Sequence, residues 1–237
     1  MTTTTRARTA GIIGGMGPES TVDYYRSIIA LYRERRKDGS YPSILVNSID
    51  VKRMLDLVAA DRLTELANWL GTEIRRLADA GADFGLLSSN TPHIVFDALS
   101  AAAPIPLISI VETACQAAQR QGLTRVGLLG TRFTMQGRFY AEPFSAAGIE
   151  VVTPGAEDQA FVHEKYMREL VPGVFRPETR SAICAVIERL RRERRIDGLV
   201  LAGTELPVLL REAGDLGVAV LDTTKLHVER VVDRLLA

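Results

Sequence analysis

The feature that most constrains this chain is a recurring alternation. Short β-rich runs, AGIIGG (10–15), SILVNS (43–48), FGLLSS (84–89), PLISI (106–110), RVGLLG (125–130), IEVVT (149–153), DGLVLA (197–202) and GVAVL (217–221), are separated for the most part by helical patterns. DRLTELANWLGTEIRRLADAG (61–81) and ETRSAICAVIERLRRERR (178–195) place apolar residues at spacings of three and four, which is the helical period. Strands that alternate with helices predict an α/β fold with mostly parallel sheets.

The pattern runs twice. FGLLSSNTPHIVFDAL and GLVLAGTELPVLL each read as a strand, two small residues, a threonine and a short helix. In open parallel sheets ligands bind beyond the carboxyl ends of the strands, where both segments put their polar residues. Capping is the simpler account of each segment alone: Asn90 or Thr91 ahead of Pro92, and Thr204 ahead of Pro207, suit a helix start. Capping does not require the same device at two corresponding strand ends. His93, early in its helix, reads more readily as a hydrogen-bonded structural residue than as a base.

GIIGGMGPESTVDYY (11–25) reads as a strand, a glycine turn and a helix with an early proline. Its backbone amides suit a carboxylate or phosphate, and a plain tight turn explains it equally well. It lacks the third glycine of a dinucleotide fingerprint and the Gly-Lys-Ser/Thr of a P-loop.

Composition narrows the classes. With 237 residues and 46% apolar content the chain can bury a real core. Lys plus Arg equal Asp plus Glu at 29 each, so net charge gives no reason to expect nucleic acid or an anionic membrane. No apolar stretch approaches the length of a membrane span, and MTTTTRART (1–9) has no signal-like apolar run; a cytoplasmic location is the expectation. The two cysteines, Cys115 and Cys184, lack metal-ligand spacing and read as small core residues, so no metal is expected.

GIIGGMGPEST, SSNTPH, LLGTRFTMQGRFY, LAGTELPVLL and LDTTKLHVERVV, in this order, together resemble the aspartate/glutamate racemase superfamily, nearest its aspartate racemase branch. The resemblance runs from about residue 11 to the end. It implies two pseudo-symmetric α/β lobes, residues 10–105 plus 222–237 and residues 106–221, with the active site in the cleft between them, and a homodimer. It also implies inversion of an amino acid's α-carbon without pyridoxal phosphate, metal or other cofactor, by two cysteines on opposite faces of the substrate. At the positions of those cysteines the sequence reads Ser89-Asn90-Thr91 and Gly203-Thr204-Glu205.

A thiol can be tuned to a thiolate near neutrality, a serine needs an adjacent base, and a glycine carries no proton at all. Standard two-cysteine racemisation is therefore not expected. The resemblance places Ser89 and Gly203 at the positions of the catalytic cysteines, with Glu205 beside Gly203, and sets His227 near the pocket, either to orient or replace a proton carrier or in a structural role. It sets Gly15, Met16, Asn47, Asn90, Thr91, Thr131, Thr134 and Thr204 around the ligand. Arg53 and Arg176 fall near basic residues that hold carboxylates, a task that suits a guanidinium, and solvated surface arginines are the alternative.

The function implied is cofactor-independent carbanion chemistry on a small amino acid or dicarboxylate. Two alternatives stand beside it: a catalytically silent homologue that binds a carboxylate or a partner protein, and a lyase, decarboxylase or isomerase derived from the same fold. Ser89, to act, would draw on Glu205, His93 or His227.

Overall fold

A computed structural model describes residues 7–237; most of the polar N-terminal stretch read for a signal, residues 1–6, lies outside them. The described chain divides into two compact units. The first comprises the residues up to Ser88, Val95–Ser109 and His227–Ala237; the second comprises Ser89–Ile94 and Ile110–Leu226.

In chain order the first unit contributes β1 (Thr9–Gly14), α1 (Pro18–Arg36), β2 (Ser43–Ser48), α2 (Val51–Ala59), α3 (Leu63–Asp79), β3 (Phe84–Leu87), α4 (Phe96–Ala102) and β4 (Leu107–Ile108). The second contributes a 3-10 turn at its start (Thr91–Val95 in all), then α5 (Ile110–Arg120), β5 (Arg125–Gly130), α6 (Arg132–Gln136), α7 (Arg138–Ala146), β6 (Glu150–Val152) and α8 (Ala156–Lys165). It continues with α9 (Pro177–Arg194), β7 (Gly198–Ala202), α10 (Leu206–Leu210) and β8 (Ala219–Asp222), and the last helix, α11 (Thr223–Leu236), passes from the second unit into the first.

Each unit holds one four-stranded parallel sheet, and the strand orders correspond: β2-β1-β3-β4 and β6-β5-β7-β8. The α/β reading and the doubled pattern are both borne out. Runs without polar alternation became central strands because each sheet has helices on both faces. In β7, Leu199 and Leu201 pack with α8, α9 and α10, while Val200 and Ala202 pack with α5 and α7, as side chains that alternate across a strand must. In the first unit Ala10, Ile12, Phe84 and Leu86 pack with Tyr24 and Ile28 of α1 and Val231 of α11. PLISI yields only the two-residue β4, an edge strand of the first sheet.

The order 2-1-3-4 fixes where chemistry can sit. Connections leave β1 and β3, and likewise β5 and β7, in opposite directions along the sheet, so the carboxyl ends of those neighbours flank a crevice. Those ends carry Gly15 and Ser88 in the first unit, and Thr131 and Gly203 in the second. No helix among the described residues is long and apolar enough to cross a membrane.

Candidate functional site

In the second unit β5 runs into Thr131, which caps α6 by accepting a hydrogen bond from the Thr134 backbone N–H. The Thr131 hydroxyl also lies 3.2 Å from that of Thr134 and 3.3 Å from that of Thr91. Three threonines thus form one buried chain of hydroxyls. Asn90 is tied into the same unit: the Tyr140 hydroxyl donates to its Oδ1 at 2.5 Å, and its Nδ2 donates to Thr223 Oγ1 at 3.3 Å. Thr223 in turn donates to the Leu201 carbonyl at 2.8 Å. The capping account of Asn90 and Thr91 is thereby corrected, since both side chains spend their hydrogen bonds on other elements.

Ser89 is 8% exposed, and its hydroxyl has no hydrogen-bond partner among the described residues. Its carbonyl accepts from His93 Nδ1–H at 3.0 Å, while His93 Nε2 accepts from the Ile110 backbone N–H at 3.2 Å. That pairing sets the Nδ1–H tautomer and turns both ring nitrogens to the backbone. His93 therefore does not activate Ser89.

The β7 end is built differently from what its sequence implies. A β-carbon at Gly203 would stand 2.5 Å from Tyr166 Cε2 and 2.7 Å from the Tyr166 hydroxyl oxygen, far inside van der Waals contact. The side-chain space at position 203 is filled by a phenol. Tyr166 opens a five-residue π-helical turn, Tyr166–Leu170, directly after α8, with Val171 N–H bonded to its carbonyl at 2.9 Å. Such single π turns are rare and recur at functional sites.

The Tyr166 hydroxyl donates a hydrogen bond to Glu205 Oε2, and Thr204 Oγ1 donates to the same oxygen at 2.8 Å. Burial raises the Glu205 carboxyl above its ordinary value, against the lowering effect of the Tyr166 and Thr204 hydrogen bonds. Burial, reinforced by the Glu205 charge, holds the Tyr166 phenol well above 10. Thr204, read as a possible cap, instead serves Glu205.

The other sequence-assigned residues have separate surroundings. Gly15 donates its N–H to Thr21 Oγ1 at 2.8 Å and has φ +84, and a β-carbon there would lie 2.3 Å from the Ile49 carbonyl oxygen. The turn's local demands alone account for that glycine. Met16 is buried. Asn47 donates to Glu73 Oε2 at 2.8 Å, so its amide is held by α3. Arg53 is exposed and lies 4.4 Å over the Trp69 ring, and Arg176 is exposed ahead of α9.

His227 is fully buried in the first unit. Its Nε2–H donates to the Ile108 carbonyl at 3.0 Å and its Nδ1 accepts from the Tyr24 hydroxyl at 2.9 Å. Burial pushes its pKa down to about 4, so the ring is neutral and both nitrogens are occupied. Cys115 sits on α5 and Cys184 on α9, and burial raises both thiols above 9. Among the described residues no group of three or more His, Cys, Asp or Glu could hold a metal ion.

The profile of the Asp/Glu/Hydantoin racemase family matches residues 13–231. The chain belongs to this family. Among curated relatives, the broad specificity amino-acid racemase RacX of Bacillus subtilis (strain 168) is 24% identical over 84% of this chain and 86% of its own length. Among solved structures, a candidate Asp/Glu racemase from Yersinia pestis is 32% identical with TM-score 0.88, over 97% of this chain and all of its own. An aspartate racemase homologue from Pyrococcus horikoshii OT3 is 30% identical with TM-score 0.83, over the same shares. The family resemblance read from five motifs is borne out, and this Asp/Glu/hydantoin racemase family member has the family's α/β architecture.

Tyr166 is the residue that sequence reasoning missed. It lies 37 positions before Gly203 in an ordinary helical pattern. The signal available was indirect: a glycine where a family side chain is expected implies that some other group fills the space.

Proposed function

We propose that this protein performs cofactor-independent carbanion chemistry at the α-carbon of a small amino acid or dicarboxylate, by a route other than two-thiol racemisation. One observation carries the reading. The strand-end position that the family resemblance assigns to a second cysteine is filled from elsewhere by a phenol bonded to a buried carboxylate, a replacement of one ionisable group by another. A silent binding protein has no need of a buried Tyr-Glu pair, which is costly to desolvate.

The names of the relatives support an amino acid as substrate, since one is a broad specificity amino-acid racemase and another an aspartate racemase homologue. The hydroxyls of Thr91, Thr131 and Thr134 provide neutral polar groups suited to a carboxylate. Ser89, with a hydroxyl that has no protein partner among the described residues and no base attached, is assigned to ligand contact in preference to proton abstraction. Arg53 and Arg176 remain the cationic residues proposed for the ligand's carboxylates, and both residues are exposed. A homodimer in the cytoplasm is the working context.

The test is exchange of the α-proton in D2O, followed by proton NMR on each enantiomer of aspartate, glutamate and a panel of neutral amino acids. Exchange of at least one substrate is expected. Stabilisation of the fold by these ligands with no exchange of any of them would instead make the protein a binder.

A further inference from the structure

We propose that Tyr166 is the proton carrier at the α-carbon, with Glu205 behind it as the group that receives and returns the proton. This rests on the carbanion reading above and names the group that carries it out.

The geometry leaves the phenol oxygen with one clear role. Its hydrogen is directed at Glu205 Oε2, and the Thr204 hydroxyl and the Glu205 backbone N–H lie beside the phenol oxygen, where they favour negative charge on it. The oxygen stands 2.7 Å from where a β-carbon at 203 would be, hence at the place that the family resemblance gives to a thiol. Thr204 donates to the same carboxylate oxygen at 2.8 Å and helps fix the pair. Leu129, Met135, Val162 and Leu206 lie in the same apolar core cluster as Tyr166. Tyr166 and Thr204 both donate to Glu205 and lower its pKa, against the larger raising effect of burial.

The step balances within these groups. The Cα–H bond breaks and its electron pair stays on the substrate, spread into the adjacent carboxylate; the proton bonds to the Tyr166 oxygen. In the same event the original Tyr166 O–H bond breaks and that proton bonds to Glu205, which becomes a carboxylic acid. The reverse sequence returns a proton to Cα from the same face. Between the two, the Glu205 acid proton exchanges with solvent. An ordinary carboxylate is a weak base, and one raised by burial is better matched to work near neutrality.

Proton return on the face of removal means exchange without inversion. Three forms of the full chain, wild type, Tyr166→Phe and Glu205→Gln, are incubated with single enantiomers of aspartate and glutamate in D2O. Deuteration is read by NMR and configuration by chiral chromatography. The wild type is expected to deuterate one enantiomer with retained configuration. Tyr166→Phe, which keeps the ring and its packing, should lose roughly 100-fold or more of the exchange rate while aspartate still raises its Tm as in wild type.

The wild-type rate should rise with pH along a limb lying above 4.5, the ordinary value that Glu205 exceeds, and Glu205→Gln should abolish that limb. Wild-type exchange that survives Tyr166→Phe within about threefold, or a limb that survives Glu205→Gln, overturns the relay and leaves the carbanion reading standing. A wild type that exchanges neither substrate nor any of the amino-acid panel overturns both.

Discussion

Position 203 shows why a single residue is read wrongly when it is read alone. As sequence it is a glycine with nothing to give or take, and as structure it is the opening through which a tyrosine from a separate helix enters. His227 underwent the opposite change. Its sequence position left a proton carrier and a structural role equally open, and in the fold it is a fully buried, neutral fastening between Tyr24 and the Ile108 carbonyl.

That has a consequence for stability. His227 titrates at about 4 in the fold against 6.5 free, so the unfolded chain binds its proton more readily between those values. The His227 contribution to stability is therefore greatest above pH 6.5 and falls as pH drops through that window, whereas Glu205, raised above 4.5 by burial, contributes with the opposite sign. The shift of about 2.5 pKa units corresponds to roughly 3 kcal/mol. Urea titrations from pH 7 to pH 4 should show a loss of this order in wild type relative to His227→Gln, which removes the His227 contribution and lowers stability at pH 7.

At the scale of elements, the two parallel sheets were legible because their strands are continuous apolar runs between helical periods, and that pattern survives ignorance of every contact. The short elements were not. PLISI has strand propensity over five residues, but at the edge of the first sheet only Leu107 and Ile108 find partners. The π turn at Tyr166 has no sequence signature, since YMREL continues the helical spacing of α8.

The candidate site divides the same way. Strand ends can be located from apolar runs that stop at small polar residues, whereas the bonds of Asn90 to Tyr140 and Thr223 cross 50 and 133 positions, beyond any local pattern. The β1–α1 turn was legible as a turn and left open as an anion site. Its geometry supplies a test: Gly15→Ala must place a β-carbon 2.3 Å from the Ile49 carbonyl at φ +84. A cost of about 2 kcal/mol or more is expected by chemical denaturation, from the left-handed backbone and the clash together.

For the whole molecule, two sheets of identical strand order, each with helices on both faces, come from one doubled pattern in the sequence, and family membership over residues 13–231 explains why it persists. The function proposed above requires that a ligand cradle endure while the groups that move protons change, which is physically open because a cradle depends on backbone placement at strand ends and proton carriers depend on single side chains. The α-proton exchange of a protein with both thiols blocked tests this account most directly. Cys115 and Cys184 are the only cysteines in the chain. After their alkylation under conditions that keep the fold, or in a Cys115→Ala, Cys184→Ala variant, deuterium should enter the substrate's α-carbon at the wild-type rate within about threefold. Exchange that disappears with the thiols, in a protein still folded and still binding aspartate, would contradict it.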